Sequence, residues 1–210
     1  MMLHELVSHS RGMLADTATP HEWTDAQLTN WINDAERRFA EATFCLLDTS
    51  SALTTIEAEK GVEEYRVHPR VIMVLAVRDD HGAALRGRFT PTHRSLVSGR
   101  PTHYTYFPGN HTLRLFPPPE RDQVFRLIVS RLPMHPLCDP ADEPEIPQQY
   151  HLALCDWVAC QALRGIDADV EDRQRSDWYR TAWDVTLVQA NRVFGQAATP
   201  TQHVVFRSEA

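Results

Sequence analysis

Lysine is almost missing from this chain: Lys60 stands alone among 21 cationic residues, so nearly all the positive charge is guanidinium. Guanidinium suits planar contacts with carboxylates and phosphates, although a GC-rich genome produces the same bias. Glycine is scarce as well, and the eight present assemble no phosphate-cradling loop. No run approaches the roughly 20 apolar residues that a membrane-spanning helix needs. The opening MMLHELVSHSRGML lacks the basic and continuous apolar regions of a signal peptide, so synthesis in the cytoplasm is expected. Four cysteines, Cys45, Cys138, Cys155 and Cys160, read as free thiols in a reducing compartment. Eleven histidines are scattered without a Gly-x-Ser-x-Gly turn, which leaves a nucleophilic triad unsupported. The formal charge of -7 disfavours a phosphate-gripping surface, leaving only local basic patches open.

What is present is ordinary for a globular protein: 42% apolar and 23% charged residues, with no flexible linker, in a length that suits one folding unit. Leu3, Leu6, Val7 and Leu14 predict a short amphipathic helix over Met2 to Leu14, weakened by Gly12. Thr24-Asp25-Ala26-Gln27 fits a capping box, and Leu28, Trp31, Ile32, Ala35, Phe39 and Ala42 form the stripe of the helix that follows. Beyond Asp48 the period falls to about two. Strands are expected over Ser51 to Ala58, Glu63 to Val67, Arg70 to Arg78 and Ala83 to Phe89, with Asp80-His81-Gly82 turning the last pair. After a loop over Thr92 to Gly99, a hairpin is expected from Thr102 to Phe107 and Thr112 to Phe116 around Pro108-Gly109-Asn110. Val124 to Arg131 completes it, alternating Phe125, Leu127 and Val129 against Arg126, Ile128 and Ser130. Pro117 to Pro119 predict an exposed bend or sheet edge.

DEPEIPQQYHLALCDWVACQALR, residues 142–164, marks the return to helix. Residues before proline avoid the α region, so Glu-Pro-Glu-Ile-Pro is extended and Pro147 serves as the first helical residue. Ile146, Tyr150, Leu154, Trp157, Val158 and Gln161 then give one mostly apolar face that stops near Gly165. A last helix is expected from about Asp169 to Phe194, capped by Asp167 or Asp169. It carries two apolar stripes: Tyr179, Trp183, Leu187, Ala190 and Phe194, and Trp178, Ala182, Val185 and Val188. Such a helix is either buried in its own domain or shared with a neighbouring subunit. The tail 196–210 contains His203-Val204-Val205-Phe206, apolar enough to add a strand to a partner or dock in a groove, with a disordered end as the alternative.

Chemical constellations are sparse. His135-x2-Cys138-x12-His151-x3-Cys155 has zinc-finger spacing, but its intervening loop is acidic and extended, without a ββα pattern. Unrelated core and surface residues are the preferred reading. Asp139, Asp142, Glu143 and Glu145 are read as a solvated loop face, and Asp167, Asp169, Glu171 and Asp172 as favourable charge at a helix start. Tyr104, Tyr106 and Phe107 beside Arg100 and Arg114 suggest base stacking, with cross-strand packing preferred.

The order of the parts is the most specific signal. Trp-Thr-Asp-Ala-Gln-Leu-x-x-Trp-Ile-Asn-Asp-Ala (residues 23–35), a β-rich middle, Gly99-Arg100-Pro101-x-x-Tyr104, Leu113-Arg114-Leu115-Phe116-Pro117-Pro118-Pro119, Glu145-Ile146-Pro147-x-x-Tyr150-His151-x-Ala153-Leu154 and a long final helix together resemble the head-to-tail adaptor, or connector, proteins of tailed bacteriophages over residues 20–195. The resemblance implies an α+β fold, a helical bundle of N- and C-terminal helices with an inserted antiparallel β-rich subdomain. Its expected bounds are 1–48 for the first helices, 49–133 for the subdomain, 134–195 for the closing helices and 196–210 for the tail. It further implies a non-enzymatic virion protein without metal or cofactor, forming a homo-oligomeric ring, typically a dodecamer. That ring would sit at the neck beneath the portal protein and carry the tail nozzle or hub protein, with genomic DNA passing through its lumen and no sequence-specific grip or membrane contact. Subunit packing is expected of Trp178, Tyr179, Trp183, Leu187 and Phe194, and portal docking of Val204, Val205 and Phe206. The alternative is a zinc-containing nucleic-acid-binding module or small hydrolase using His135, Cys138, His151 and Cys155. A carbohydrate-binding β subdomain is a third, resting on exposed aromatics alone.

Overall fold

The computed structural model describes residues 1–88, 98–165 and 170–198 of the chain. It forms two compact units, one from Met1–Leu47 with Arg131–Gly195, the other chiefly from Asp48–Ser130. The fold is α+β: N- and C-terminal helices, with a β-rich middle inserted between them.

The helical unit starts with α1 (Leu3–Leu14), whose buried Leu3, Leu6, Ser10 and Leu14 recur at helical spacing. Its first free N–H groups donate to carbonyls of the 140–142 loop, Leu3 to Asp142 at 2.8 Å and His4 to Pro140 at 3.1 Å. α2 (Asp25–Thr43) opens on the expected box: Thr24 Oγ1 accepts from the Gln27 N–H at 3.2 Å while Gln27 Oε1 accepts from the Thr24 N–H at 2.9 Å. Its buried face holds Leu28, Ile32, Ala35, Phe39 and Ala40, with Glu36 among them.

Pro147 does not begin the third helix. It precedes a 3-10 turn, Gln148–Tyr150, which leads into α3 (His151–Ala162). Nor has α3 a single apolar face, because His151, Ala153, Leu154, Cys155, Trp157, Val158, Ala159, Cys160 and Ala162 are all buried. A helix packed against both α1 and α2 while receiving side chains of the last helix is buried around most of its circumference, with Leu152 left exposed and Asp156 and Gln161 partly so. That last helix, α4 (Val170–Ala198), continues past Phe194, so the segment beyond it starts at residue 199. Its expected caps, Asp167 and Asp169, and the whole of 199–210 lie outside the described residues.

The β unit has two sheets. In one, β1 (Leu47–Asp48) and β2 (Thr55–Ala58) pair with β8 (Gln123–Arg131), as does β4 (Val71–Arg78). The other runs β3 (Glu64–Arg66), β7 (Thr112–Phe116), β6 (His103–Phe107), β5 (Arg86–Gly87), antiparallel except for a short parallel β5–β6 pairing. Ile56, Val71, Val74, Val77, Leu113, Leu115, Phe125, Leu127 and Val129 lie in its core.

Three expectations change here. The hairpin β6–β7 turns at Pro108–Asn110 as expected, but β8 does not complete it; β8 pairs with β2 in register Thr55↔Arg126. Alternation identifies a strand and its inward face, not its neighbour. Of the strand expected over 83–89, Phe89 lies outside the described residues and the rest is cut to the two residues of β5: Asp79 Oδ1 accepts from the N–H groups of His81 and Ala83 at 3.1 and 2.8 Å, Gly82 takes φ +81°, and among the described residues the bridge Arg78↔Ala84 is the pairing made with β4. The chain then crosses to β6, with Arg86 and Arg88 N–H donating to Thr102 and Tyr104. Finally, Pro118 and Pro119 are buried rather than exposed. Lacking N–H groups, they bring only acceptors inside, and these receive Gly99 N–H and Gly61 N–H at 2.8 Å each.

Candidate functional site

The side chains of α4 divide the helix lengthwise. On its inner face Trp183 is 1% exposed and meets Phe39 and Trp157 with ring centroids 5.9 and 5.6 Å apart. Tyr179 is also buried, its hydroxyl donating to the Met13 carbonyl at 3.4 Å, and Ser176 donates to the Cys160 carbonyl at 2.9 Å. Leu187 and Phe194 pack against the same core, Phe194 with its ring 6.0 Å from that of Tyr150. The opposite face carries Trp178, 67% exposed, with Val185 at 50% and Val188 at 54%. Seven- and three-residue steps put these three on one side of a 3.6-residue helix, turned away from Trp183. Of the five residues expected to pack subunits, Tyr179, Trp183, Leu187 and Phe194 are therefore taken up by the chain's own bundle. Trp178 alone stays outward, joined by the second stripe.

Charge fills the space beside this stripe but leaves its apolar line intact. Arg180 binds Asp184 at 3.0 Å, and its guanidinium lies 5.4 Å from the Trp157 ring centre, with that of Arg38 at 4.7 Å from the same ring. Asp34 binds Arg38 at 2.7 Å and accepts from Trp157 Nε1 at 3.0 Å; although burial opposes its ionisation, these donors hold its carboxyl below the usual range.

A second organised locus surrounds the Glu145-Ile146-Pro147 motif. Glu36, 1% exposed, accepts from the Glu145 N–H at 2.5 Å. Glu145 in turn accepts from Arg131 at 2.7 Å and from the Met134 N–H at 2.5 Å. Burial, reinforced by the neighbouring Glu145 charge, pushes the Glu36 carboxyl up to about 7 despite its backbone donors and Arg131. Nothing in the sequence singled out Glu36 except its position within an apolar stripe, where a carboxylate needs a partner.

The suspected zinc ligands do not converge. His135 and Cys138 are exposed, whereas Cys155 is buried with its thiol directed at the Leu6 carbonyl, and His151 is buried with Nε2 2.9 Å from the Ile146 carbonyl. Among the described residues no three His, Cys, Asp or Glu side chains are gathered as metal ligands. The loop acids have local tasks: Asp142 accepts from the N–H groups of Cys138 and Asp139 at 2.7 Å each, and Asp139 from that of Ala141 at 2.9 Å. The nearby groove of about 830 Å³ between α1, α2 and residues 136–140 is lined by groups that hold its own walls. Asn33 bonds both backbone groups of Leu137, and Arg11 binds Asp16, Asp25 and the Trp23 carbonyl.

The aromatics of the hairpin are likewise committed. Tyr104 is buried, and the hydroxyls of Tyr104 and Tyr106 donate to the carbonyls of Leu75 and Val71 at 3.0 Å each. Arg114 pairs with Glu64 and lies over Phe107, and Arg100 binds Asp79 at 2.7 Å. Cross-strand and inter-sheet packing accounts for this set, and the exposed rings on which a base-stacking or carbohydrate surface depends are absent from Tyr104. No described helix is long and apolar enough to cross a membrane. Among the described residues, the α4 stripe of Trp178, Val185 and Val188 is an apolar surface that the chain's own bundle does not cover. By comparison with known proteins, the family model described as SU10 adaptor protein matches residues 2–199. No curated protein matches the chain.

Proposed function

The chain belongs to the SU10 adaptor protein family, a family of phage head-to-tail adaptors, and from that premise we propose that it forms a ring below the portal, joins capsid to tail and lines the channel for the genome. It is a structural virion protein in this reading and performs no catalysis. The observation that carries the ring is the outward stripe of α4: Trp178, Val185 and Val188 lie in line on a helix whose other face is already satisfied by its own bundle. An exposed tryptophan in such a line marks a surface to be covered by another chain. An overall charge of -7 supports passage of DNA without retention, because retention requires phosphate neutralisation. The twelvefold copy number, the nozzle or hub as tail-side partner, and portal docking through Val204, Val205 and Phe206 belong to the same proposal.

Electron microscopy of the purified chain mixed with its cognate portal tests it. Rings stacked on the portal are expected, and Trp178→Glu with Val188→Glu should abolish them while leaving the circular dichroism spectrum and melting temperature of the chain nearly unchanged. A wild-type chain that stays monomeric and never binds the portal would refute the ring; rings formed equally well by the double variant would refute the stripe as its contact.

A further inference from the structure

Residues 81–119 contain five arginines and neither aspartate nor glutamate, so all 28 carboxylates of the chain lie outside this stretch. Two of the five arginines have internal partners, Arg100 with Asp79 and Arg114 with Glu64, and Arg94 lies outside the described residues. Arg86 and Arg88 remain. Both are exposed, on β5 and the residue just after it, where the Arg88 N–H to Tyr104 carbonyl bond of 2.8 Å extends the pairing. Two residues apart on an extended chain, they share a face, and His103 stands opposite Arg86 in the ladder. Partial burial, then the charges of Arg88 and Arg86, hold the His103 imidazole below its usual proton affinity, in keeping with their placement in the ladder. Among the described residues none of the three has a carboxylate at ion-pair distance, whereas Arg37, Arg38, Arg121 and Arg180 each have one. Charged side chains guard an edge strand against stray pairing, and one would suffice for a strand of two residues. Two guanidiniums beside an imidazole repel one another, and among the described residues no carboxylate offsets that repulsion.

We propose that Arg86, Arg88 and His103 form a docking surface for the carboxylates of a second copy of this chain, one side of a head-to-tail contact around the ring. The proposal rests on the ring reading above. In a heterologous ring each subunit offers one patch and receives a different one, so a cationic edge needs an anionic mate on the same sequence. This sequence supplies it, with an overall charge of -7 and all its carboxylates outside 81–119. The planar guanidinium fork matches a carboxylate with two parallel hydrogen bonds. Duplex DNA is the weaker fit, because two full charges neutralise few phosphates and leave little affinity at physiological salt.

Mass photometry and electron microscopy of the full chain, alone and on the portal, at about 50 and about 500 mM salt, test the surface. Arg86→Glu with Arg88→Glu should raise the concentration for half-assembly by about tenfold or more and flatten its salt dependence, while Arg86→Lys with Arg88→Lys, which keeps the charge but not the fork, keeps the salt dependence and loses less than the reversal. An unchanged melting temperature shows that the charge reversal has not acted through the fold; if the reversed variant melts early, Arg86→Gln with Arg88→Gln carries the same comparison. Wild-type rings that the reversed variant matches in both concentration and salt dependence overturn this proposal alone. A wild-type chain that never forms a ring overturns it together with the ring reading. Loss of binding to a labelled DNA duplex with assembly untouched overturns it in favour of a phosphate-facing patch.

Discussion

Glu36 is buried where an uncharged residue would be expected, and its partners explain why it is tolerated. The Glu145 N–H donates to it, and protonation at neutral pH relieves the rest of the burial cost. With the carboxyl raised from an ordinary 4.5 to about 7, the folded chain keeps a proton that the unfolded chain has released between those values. The stability contributed by this group is therefore fully present below about 4.5 and is lost as pH rises through 7. Glu36→Gln, neutral throughout, should be close to wild type at pH 5 and more stable at pH 8, by at most about 3 kcal/mol. Urea midpoints of the two proteins at both pH values check this; parallel curves would place the proton elsewhere in the Glu36, Glu145 and Arg131 group. The sequence revealed Glu145-Ile146-Pro147 as a landmark but not Glu36 beneath it, since the two are 109 residues apart and only packing joins them.

At the scale of the element, α4 shows how far periodicity carries. Spacing alone yields both stripes, Tyr179 with Trp183 and Trp178 with Val185, because both repeat at the helical period. Which one turns inward depends on the surfaces of α2 and α3, where Phe39 and Trp157 make room for Trp183. Trp183→Ala should cost about 3 to 5 kcal/mol in chemical denaturation, as removal of a large buried ring does. Trp178→Ala should change stability by less than about 0.5 kcal/mol while weakening assembly. Equal losses of stability for both would show the stripe to be part of the core. The capping box of α2 was legible to the residue, since all its bonds close within one turn. The partner of β8 was not, because its alternation fits either sheet equally.

At the scale of the whole molecule, the helical unit and the β unit each have a separate core, and the family match spans both. The outward face of α4 lies in the helical unit and Arg86 and Arg88 in the β unit, so a ring using both would join neighbours through two kinds of contact, apolar and ionic. The segment beyond α4 is assigned to neither. Deleting residues 199–210 should leave the melting temperature of the chain unchanged and lower its affinity for the portal, read by co-sedimentation. A deletion that unfolds the chain, or one that binds the portal as well as wild type, would remove portal docking from Val204, Val205 and Phe206.

The sequence by itself determined what short-range chemistry sets: the capped start of α2, the two periods along the chain, and the order of motifs that marks the family. Tertiary structure alone decided which stripe of α4 stays exposed, which sheet receives β8, why Pro118 and Pro119 are inside, and that His135, Cys138, His151 and Cys155 never meet. The physical reason is range. Caps and periodicity are satisfied within a turn or two of chain, whereas burial and pairing depend on surfaces brought together from opposite ends of it.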